Sequence, residues 1–420
     1  MKILWLSHFL PYPPKGGALQ RSHNLLRQAA RRHEVHLVSL NQRKNLPTRD
    51  TVEEAVDFLK NLCKRVEVFP IPSDSARWRW VMMTMASYLR ASPYDVNWLT
   101  NIDMETYLEN VSKTETFDLV HVDTIGLYPY VSTYSGTPVV LNHHNVESHM
   151  MRRRYEKETN RLERIYFHRE SSKLERYERE VCGKCAVNLV VSDLDGIRLK
   201  EIAGDVRVSV IPNGVDVEYF RSNEQNSRKR EGLIFAGAMD WYPNREAVRF
   251  FLMEIWPKLL EEKPDRHATF IGKNPPHELL EASKHSAIHA PGFVDDVRPY
   301  LDKAGIYVCP IRDGGGTRLK ILDALSMAKP LVATGLAVEG LDLVDEIHYL
   351  KAETALEFVA QINRLEKDPG LCHTLATAGQ RFVQERFSWD VIGESILKIY
   401  QETVLQRKAP DHQEGRDRHV

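Results

Sequence analysis

The chain has almost no net charge. Its 57 Lys and Arg stand against 58 Asp and Glu, for a formal charge of −1 over 420 residues. That balance implies no nucleic-acid partner, so electrostatic partners must be sought in local patches. Long apolar runs are absent too: none approaches the roughly 20 residues needed to span a bilayer. The opening run Met1 to Ser7 is too short for a signal peptide, and Pro11 follows soon after. Cysteine is scarce, five residues at scattered positions, an odd number that argues for thiols in a reducing compartment. A cytoplasmic chain is expected, soluble or held peripherally at the inner face of the membrane. Cys182-Gly-Lys-Cys185 is a CxxC pair with neither a second pair nor a histidine at zinc spacing, so it reads as two small packing residues.

What the sequence does have is alternation. Short Val/Ile/Leu-rich runs separated by helical patterns predict parallel sheets covered by helices. One set of runs covers 2–7, 35–40, 65–71, 118–123, 138–142, 187–192 and 206–212. A second covers 233–239, 268–273, 287–292, 306–311, 330–334 and 347–351. The polar stretch 213–231 between them suits a linker. The fold class expected is α/β, two doubly wound Rossmann-like domains facing each other across a cleft, at 1–212 and 232–390. Residues 148–182, rich in Arg, Glu, Lys and Tyr, read as a solvated helical arm, with Glu175 and Arg179 at supportive spacing. Val391, Ile392, Ile396, Leu397 and Tyr400 form the stripe of a last helix, 391–407, before a polar tail, 408–420, expected to be disordered.

The most informative stretch is Asp313-Gly-Gly-Gly-Thr-Arg-Leu-Lys-Ile-Leu-Asp323. It follows a buried-strand run and opens a helix, and a strand, a glycine loop and a helix N-terminus in that order make an anion site. Arg318 and Lys320 add donors suited to phosphate oxygens, and Asp323 offers a carboxylate to sugar hydroxyls. The plain alternative is a surface loop with solvated charges. A second glycine loop, Gly16-Gly17, closes the first strand. It is not GxGxxG, and no acid ends the second strand, so a nicotinamide cofactor is disfavoured. In Leu141-Asn-His-His-Asn-Val-Glu147, adjacent histidines on a strand point to opposite sides, which leaves His144 as the one at the ligand-facing end. Glu147 is a helix-capping carboxylate or an acceptor-side group, and Arg21 is a second acceptor-side candidate. Val190-Val-Ser-Asp193-Leu-Asp195 has the look of a metal-binding Asp-x-Asp, but Ser192 or Asp193 as a helix N-cap explains it more simply. Residues 76–90 mix aromatic, apolar and basic side chains. They read either as a membrane-interface or acceptor-lining helix or as a helix packed on the first domain. The cluster 151–154 adds cations that could assist anionic lipid contact.

With these motifs placed, the chain resembles the retaining, nucleotide-sugar-dependent glycosyltransferases of the GT-B fold. More narrowly, it resembles the large family four of bacterial polysaccharide and glycolipid enzymes. The carriers are Gly16-Gly17, His144-Asn-Val-Glu147, Ile211-Pro-Asn-Gly-Val-Asp216, Phe235-Ala-Gly-Ala-Met-Asp-Trp-Tyr-Pro-Asn244, Gly292-Phe-Val-Asp-Asp296, the segment 313–334 and Ser388-Trp389. The resemblance implies an acceptor-side first domain, a nucleotide-sugar-binding second domain and a last helix that crosses back to the first. It implies that Gly16, Gly17 and Gly237 approach the donor, that His144 contacts the donor sugar, and that the Val294 loop meets the base. Gly316 and Thr317 amides with Arg318 and Lys320 would hold the diphosphate, and Asp323 would bind the ribose. No metal or other cofactor is implied; the partners are a nucleotide-sugar donor and a saccharide or polyprenyl- or lipid-linked acceptor. The chain departs from the family in lacking the first carboxylate of Glu-x7-Glu, where Gly315 stands, and in having Asp323 for the second. Asp313 is the nearest substitute, and Ala238 stands where the family has a basic residue. Two rival readings remain: a nucleotide-sugar 2-epimerase of the same fold, and a non-catalytic nucleotide-sugar-binding protein.

Overall fold

The computed structural model describes residues 1–14, 16–222, 230–285, 287–314 and 318–408. Two compact units emerge: Met1–Pro212 with the chain from Gly393 onward, and Asn213–Ile392.

The first unit is built on seven parallel strands. They are β1 (Lys2–Ser7), β2 (Glu34–Asn41), β3 (Arg65–Pro70), β4 (Leu119–Val122), β5 (Val139–Asn142), β6 (Val187–Val190) and β7 (Val208–Val210). Their spatial order is β3-β2-β1-β4-β5-β6-β7. The second unit has six: β8 (Leu233–Ala236), β9 (Ala268–Ile271), β10 (Ile288–Gly292), β11 (Ile306–Cys309), β12 (Leu331–Ala333) and β13 (Leu350–Lys351), in the order β10-β9-β8-β11-β12-β13. The central strands are covered on both faces, so Ile3, Leu4, Trp5 and Leu6 in β1 and all of β11 are buried. Continuous apolar strands of this kind can exist only with helices on both sides of the sheet. All thirteen expected runs are strands, most of them shorter than the apolar run that announced them.

Each sheet reverses its strand order once, between β1 and β4 and between β8 and β11. Loops leave such neighbours in opposite directions and open a crevice at the carboxyl ends, where ligands bind in open α/β sheets. In the second unit β11 and β8 pair at two positions only, Ile306↔Leu233 and Tyr307↔Ile234. The Tyr307 hydroxyl then takes the place of the ladder, accepting from the Ala236 amide at 3.2 Å and donating to its carbonyl at 3.1 Å.

Of the stretch 213–231, residues 223–229 lie outside the described residues. Val215 and Phe220 are buried in the second unit's core, and Val215 bridges to Ser388. The arm is two helices, Glu147–Lys157 and Arg161–Cys182, with the Arg179–Glu175 pair at 3.2 Å. It is not wholly solvated, because Glu170, Lys173, Leu174 and Glu178 are buried. Cys182 and Cys185 are buried free thiols. In the last helix, Trp389–Lys408, the side chains of Ile392, Ile396, Leu397 and Tyr400 are buried while Val391 is exposed. From Gly393 the helix packs within the first unit. A Cβ at Gly393 would lie 2.6 Å from the Gln28 side chain, so only glycine lets the helix approach so closely. The expected tail, beyond Lys408, falls outside the described residues.

Candidate active site

The switch point of the second unit gathers the strongest chemistry. β8 is followed at once by Gly237, whose amide donates to the Ile271 carbonyl at 2.8 Å. β11 leads through Asp313 and Gly314 to the helix Leu319–Ser326, with Arg318 at its N-cap. Gly314 has φ +99°, and a Cβ there would meet Pro243 at 2.6 Å and the Arg318 guanidinium at 3.0 Å. Its glycine is therefore required twice, by conformation and by space. The Gly314 amide donates to Asp313 Oδ1 at 2.6 Å. At the second residue of the helix, Lys320 Nζ donates to Asn244 Oδ1, and Asn244 Nδ2 donates to the Ala238 carbonyl at 2.7 Å. The ammonium also stands 4.8 Å from the Phe235 ring centroid. Asn244 is thus a brace that ties Lys320 to the end of β8. At Gly237 a Cβ would lie 2.5 Å from Lys320 Nζ.

Burial sets the electrostatics here. It pushes the Lys320 ammonium down to about 8, with neighbouring Arg318 acting the same way and Asp323 opposing. It pushes the Asp323 carboxyl up to about 8 against the pull of Lys320. Both charges are held below full solvation, so a ligand offering phosphate oxygens to one and hydroxyls to the other would restore what the site withholds. Val294 is half-buried on the second unit's core, in the loop after β10 where Asp296 and Arg298 pair at 2.7 Å. Gly316 and Thr317 lie outside the described residues.

At the switch point of the first unit the centre is Asp123, at the end of β4 and wholly buried. Its Oδ2 accepts from the hydroxyls of Ser22 and, at 3.3 Å, Ser7; its Oδ1 accepts from Asn142 Nδ2 at 2.8 Å. His144 Nε2 stands 3.4 Å from Oδ1 and His121 Nε2 at 3.9 Å. His121 is stacked on Trp5 with ring centroids 3.7 Å apart, and its Nδ1 is 2.7 Å from the Tyr400 hydroxyl. Burial alone would raise the Asp123 carboxyl; the surrounding imidazoles, led by His144, hold it well below its ordinary range. Burial pushes His8 down to about 3. Among the described residues, one group has metal-site spacing: His8, Asp123 and His144, with ligand atoms within 4.8 Å of one another. Two histidines and a carboxylate suit a transition metal. Here both carboxylate oxygens already accept hydrogen bonds from Ser7, Ser22 and Asn142, while His8 Nδ1 and His144 Nε2 are buried without a hydrogen-bond partner.

The two adjacent histidines lie just past the end of β5 rather than on it, and they still part. His143 turns inward to Asn188 Oδ1 at 3.2 Å, and burial lowers it to about 4, whereas His144 sits beside Asp123 with 11% of its side chain exposed. Gly16, with φ +103°, is the N-cap of the helix Gly17–Ala30, and both Gly16 and Gly17 are exposed. Arg21 is 1% exposed and donates to Asn142 Oδ1 at 2.8 Å and to the Ile211 carbonyl at 2.7 Å, an internal clamp between β5 and the residues after β7. Glu147 opens its helix half-buried. Burial, with Asp95 and Glu178 nearby, raises its carboxyl to about 8, which places it in an internal carboxyl group. The Asp-x-Asp motif is a cap, with the Asp195 amide donating to Ser192 Oγ at 3.2 Å. Asn244 and Asp123 are the functional candidates that sequence reasoning passed over. For Asp123 the signal available was a charged residue closing the apolar run Leu-Val-His-Val.

Residues 15–219 match the family model described as Glycosyltransferase Family 4, and residues 230–368 match the one described as Glycosyl transferases group 1. An uncharacterized 44.6 kDa protein in the cps region of Klebsiella pneumoniae is 21% identical over 411 residues, 94% of this chain and 99% of that one. Among solved structures, Anabaena HepE in complex with UDP superposes with a TM-score of 0.65 at 14% identity, covering 96% of this chain and all of HepE. Sucrose-phosphate synthase from Thermosynechococcus elongatus gives 0.68 at 13% identity, with 97% and 100% covered. Two glycosyltransferase family models that together span most of the chain, on a fold of two Rossmann-like units shared with these structures, support placing it among the GT-B glycosyltransferases.

Proposed function

We propose that the protein is a retaining, metal-independent glycosyltransferase. It would move a sugar from a nucleoside diphosphate to a saccharide or lipid-linked acceptor in polysaccharide or glycoconjugate synthesis. The observation that carries this reading is Lys320, braced by Asn244 beneath Gly237 at the β8–β11 switch point. A cation fixed where a strand end, a glycine and a helix start converge is placed for phosphate. In this reading Lys320 and Arg318 offset the charge that grows on the diphosphate as its bond to the sugar breaks. The acceptor oxygen forms the new bond on the same face, and its proton passes to the departing phosphate oxygen. Gly316 and Thr317 would supply amides to the diphosphate, Asp323 would accept from ribose hydroxyls, and the Val294 loop would border the base. His144, steadied by Asp123, would contact the sugar.

HepE was solved with UDP, with UDP and glucose, and with UDP-glucose. Carried over, those ligands make uridine diphosphate sugars the first donors to test, ahead of guanosine ones. A thermal-shift panel of nucleoside diphosphate sugars tests the reading, because saturating ligand stabilises with the logarithm of its excess. One donor should raise the melting temperature, and EDTA should leave the shift intact. Lys320→Ala should remove the shift and lower turnover in a nucleotide-release assay. A panel with no stabilising donor would sink the proposal.

A further inference from the structure

The helix Arg77–Leu89 carries its apolar side chains outward. Trp78 is 65% exposed, Met82 61%, Met85 63% and Leu89 80%. Their spacing of four, three and four residues lines them along one face, with Val81 beside them. The opposite side is what anchors the helix. Ser87 is buried, its hydroxyl accepting from Asn97 Nδ2 at 2.9 Å and its carbonyl from Lys173 Nζ at 2.7 Å. Trp80 Nε1 donates to the Tyr94 hydroxyl at 3.0 Å. A soluble surface seldom presents so many large apolar side chains in one stripe unless something covers them.

Charge identifies the cover. From Ser75 to Pro93 there are three arginines, Arg77, Arg79 and Arg90, and no carboxylate, in a chain of net charge −1. Arg43 and Lys44 join Arg77 around an adjoining cavity of about 470 Å³, whose walls include Trp80, Tyr94 and Trp98 and also Asp74. A second element extends the surface. Arg169, on the helix Arg161–Cys182, donates to the Tyr88 carbonyl at 3.1 Å and lies 4.9 Å from that residue's ring. On the same face of that helix, one and two turns earlier, stand Ile165 and Leu162, exposed to 56% and 79%. An apolar stripe with tryptophan, rimmed by arginine and free of acids, is the composition of a helix lying in the plane of a bilayer interface. No helix among the described residues is long and apolar enough to cross one.

We infer that the Arg77–Leu89 face docks on an anionic lipid bilayer. Trp78, Met82, Met85 and Leu89 enter the acyl boundary while Arg77, Arg79 and Arg90 meet lipid phosphates. The inference stands apart from the sugar-transfer reading, since it concerns a different face of the first unit and predicts lipid binding without donor or acceptor.

Sedimentation of the full chain with phosphatidylcholine–phosphatidylglycerol vesicles tests it. The protein should pellet with these vesicles, remain in the supernatant with pure phosphatidylcholine, and release at high salt. Replacing Arg77, Arg79 and Arg90 by Gln should weaken binding about a hundredfold, at about fivefold per arginine. The variant Trp78→Gln/Met82→Gln/Met85→Gln/Leu89→Gln should lose binding with its melting temperature unchanged, because these side chains support nothing beneath them. Leu89→Gln alone, at the most exposed position, should weaken it measurably and guards against misfolding of the fourfold variant. Equal pelleting of wild type and both stripe variants would overturn the inference. So would a wild type that ignores anionic vesicles, or one that dimerises through this face in sedimentation velocity.

Discussion

Replacing Asp323 by Asn isolates the most unusual group in the second unit. The carboxyl is displaced from an ordinary 3.8 to about 8, chiefly by burial. Because its folded pKa is raised, the unfolded chain gives up this proton about four pH units before the folded one does. The penalty is absent below about pH 4, grows as pH rises toward 8, and is constant above. At about 1.4 kcal/mol per pH unit the ceiling is roughly 6 kcal/mol. Asp323 keeps some exposed surface, and its carboxylate also helps Lys320 hold a charge, so about 2 kcal/mol is the working figure. For a unit of this size that corresponds to a melting temperature about 4–8 °C higher for the variant at pH 8.5, and a gap near zero at pH 4. Differential scanning fluorimetry across that range reads the gap directly. Nucleotide affinity should move the other way, falling about tenfold or more as a charged acceptor for ribose hydroxyls is lost. A gap that does not change with pH, or a variant less stable at pH 8.5, would refute the reasoning.

Gly272→Ala should cost more than about 3 kcal/mol and leave little folded protein. Its Cβ would sit 1.9 Å from the Gly237 carbonyl oxygen, a backbone atom that cannot move without breaking the end of β8; soluble yield and urea unfolding check this. Gly237→Ala places its Cβ 2.5 Å from the flexible end of Lys320, so binding should suffer before stability does, and donor KM should rise with a melting temperature within a few degrees of wild type. Asp123→Asn should cost about 3 kcal/mol near neutrality by removing the charge that Ser22, Ser7 and His144 face. Since the folded carboxyl lies below its ordinary 3.8, that stability is present above about pH 4 and lost below it, so wild type and variant should converge in acid urea titrations.

The architecture was legible because each strand is a closed apolar run and each loop after it carries glycine or polar residues. The anion loop after β11 was legible for the same reason: glycines and cations stand next to one another in sequence. What could not be read depends on which side of a helix faces inward. Arg21, Ser22, His23 and Asn24 are four consecutive polar residues, all buried, and helical periodicity offers no reason to bury them. Arg21 and Ser22 find their partners, Asn142 and Asp123, more than a hundred residues away, while His23 and Asn24 bond to the nearby carbonyls of Pro11 and Gln20. Asn244 was similarly opaque, since its task exists only once β8 and the helix Leu319–Ser326 are adjacent. The helix Arg77–Leu89 posed the opposite difficulty. Its composition fits either a buried or a lipid-facing helix, and only the burial of Ser87 shows which side turns inward.

The central claim is that Lys320 grips a diphosphate, and one thermodynamic cycle tests it. Titration calorimetry would compare the nucleoside diphosphate chosen by the donor panel with its bare nucleoside, in wild type and in Lys320→Ala. The wild type should bind the diphosphate far more tightly than the nucleoside, and the substitution should shrink that advantage about tenfold or more while leaving nucleoside affinity unchanged. An advantage of the same size in both proteins would place the diphosphate elsewhere and contradict the account.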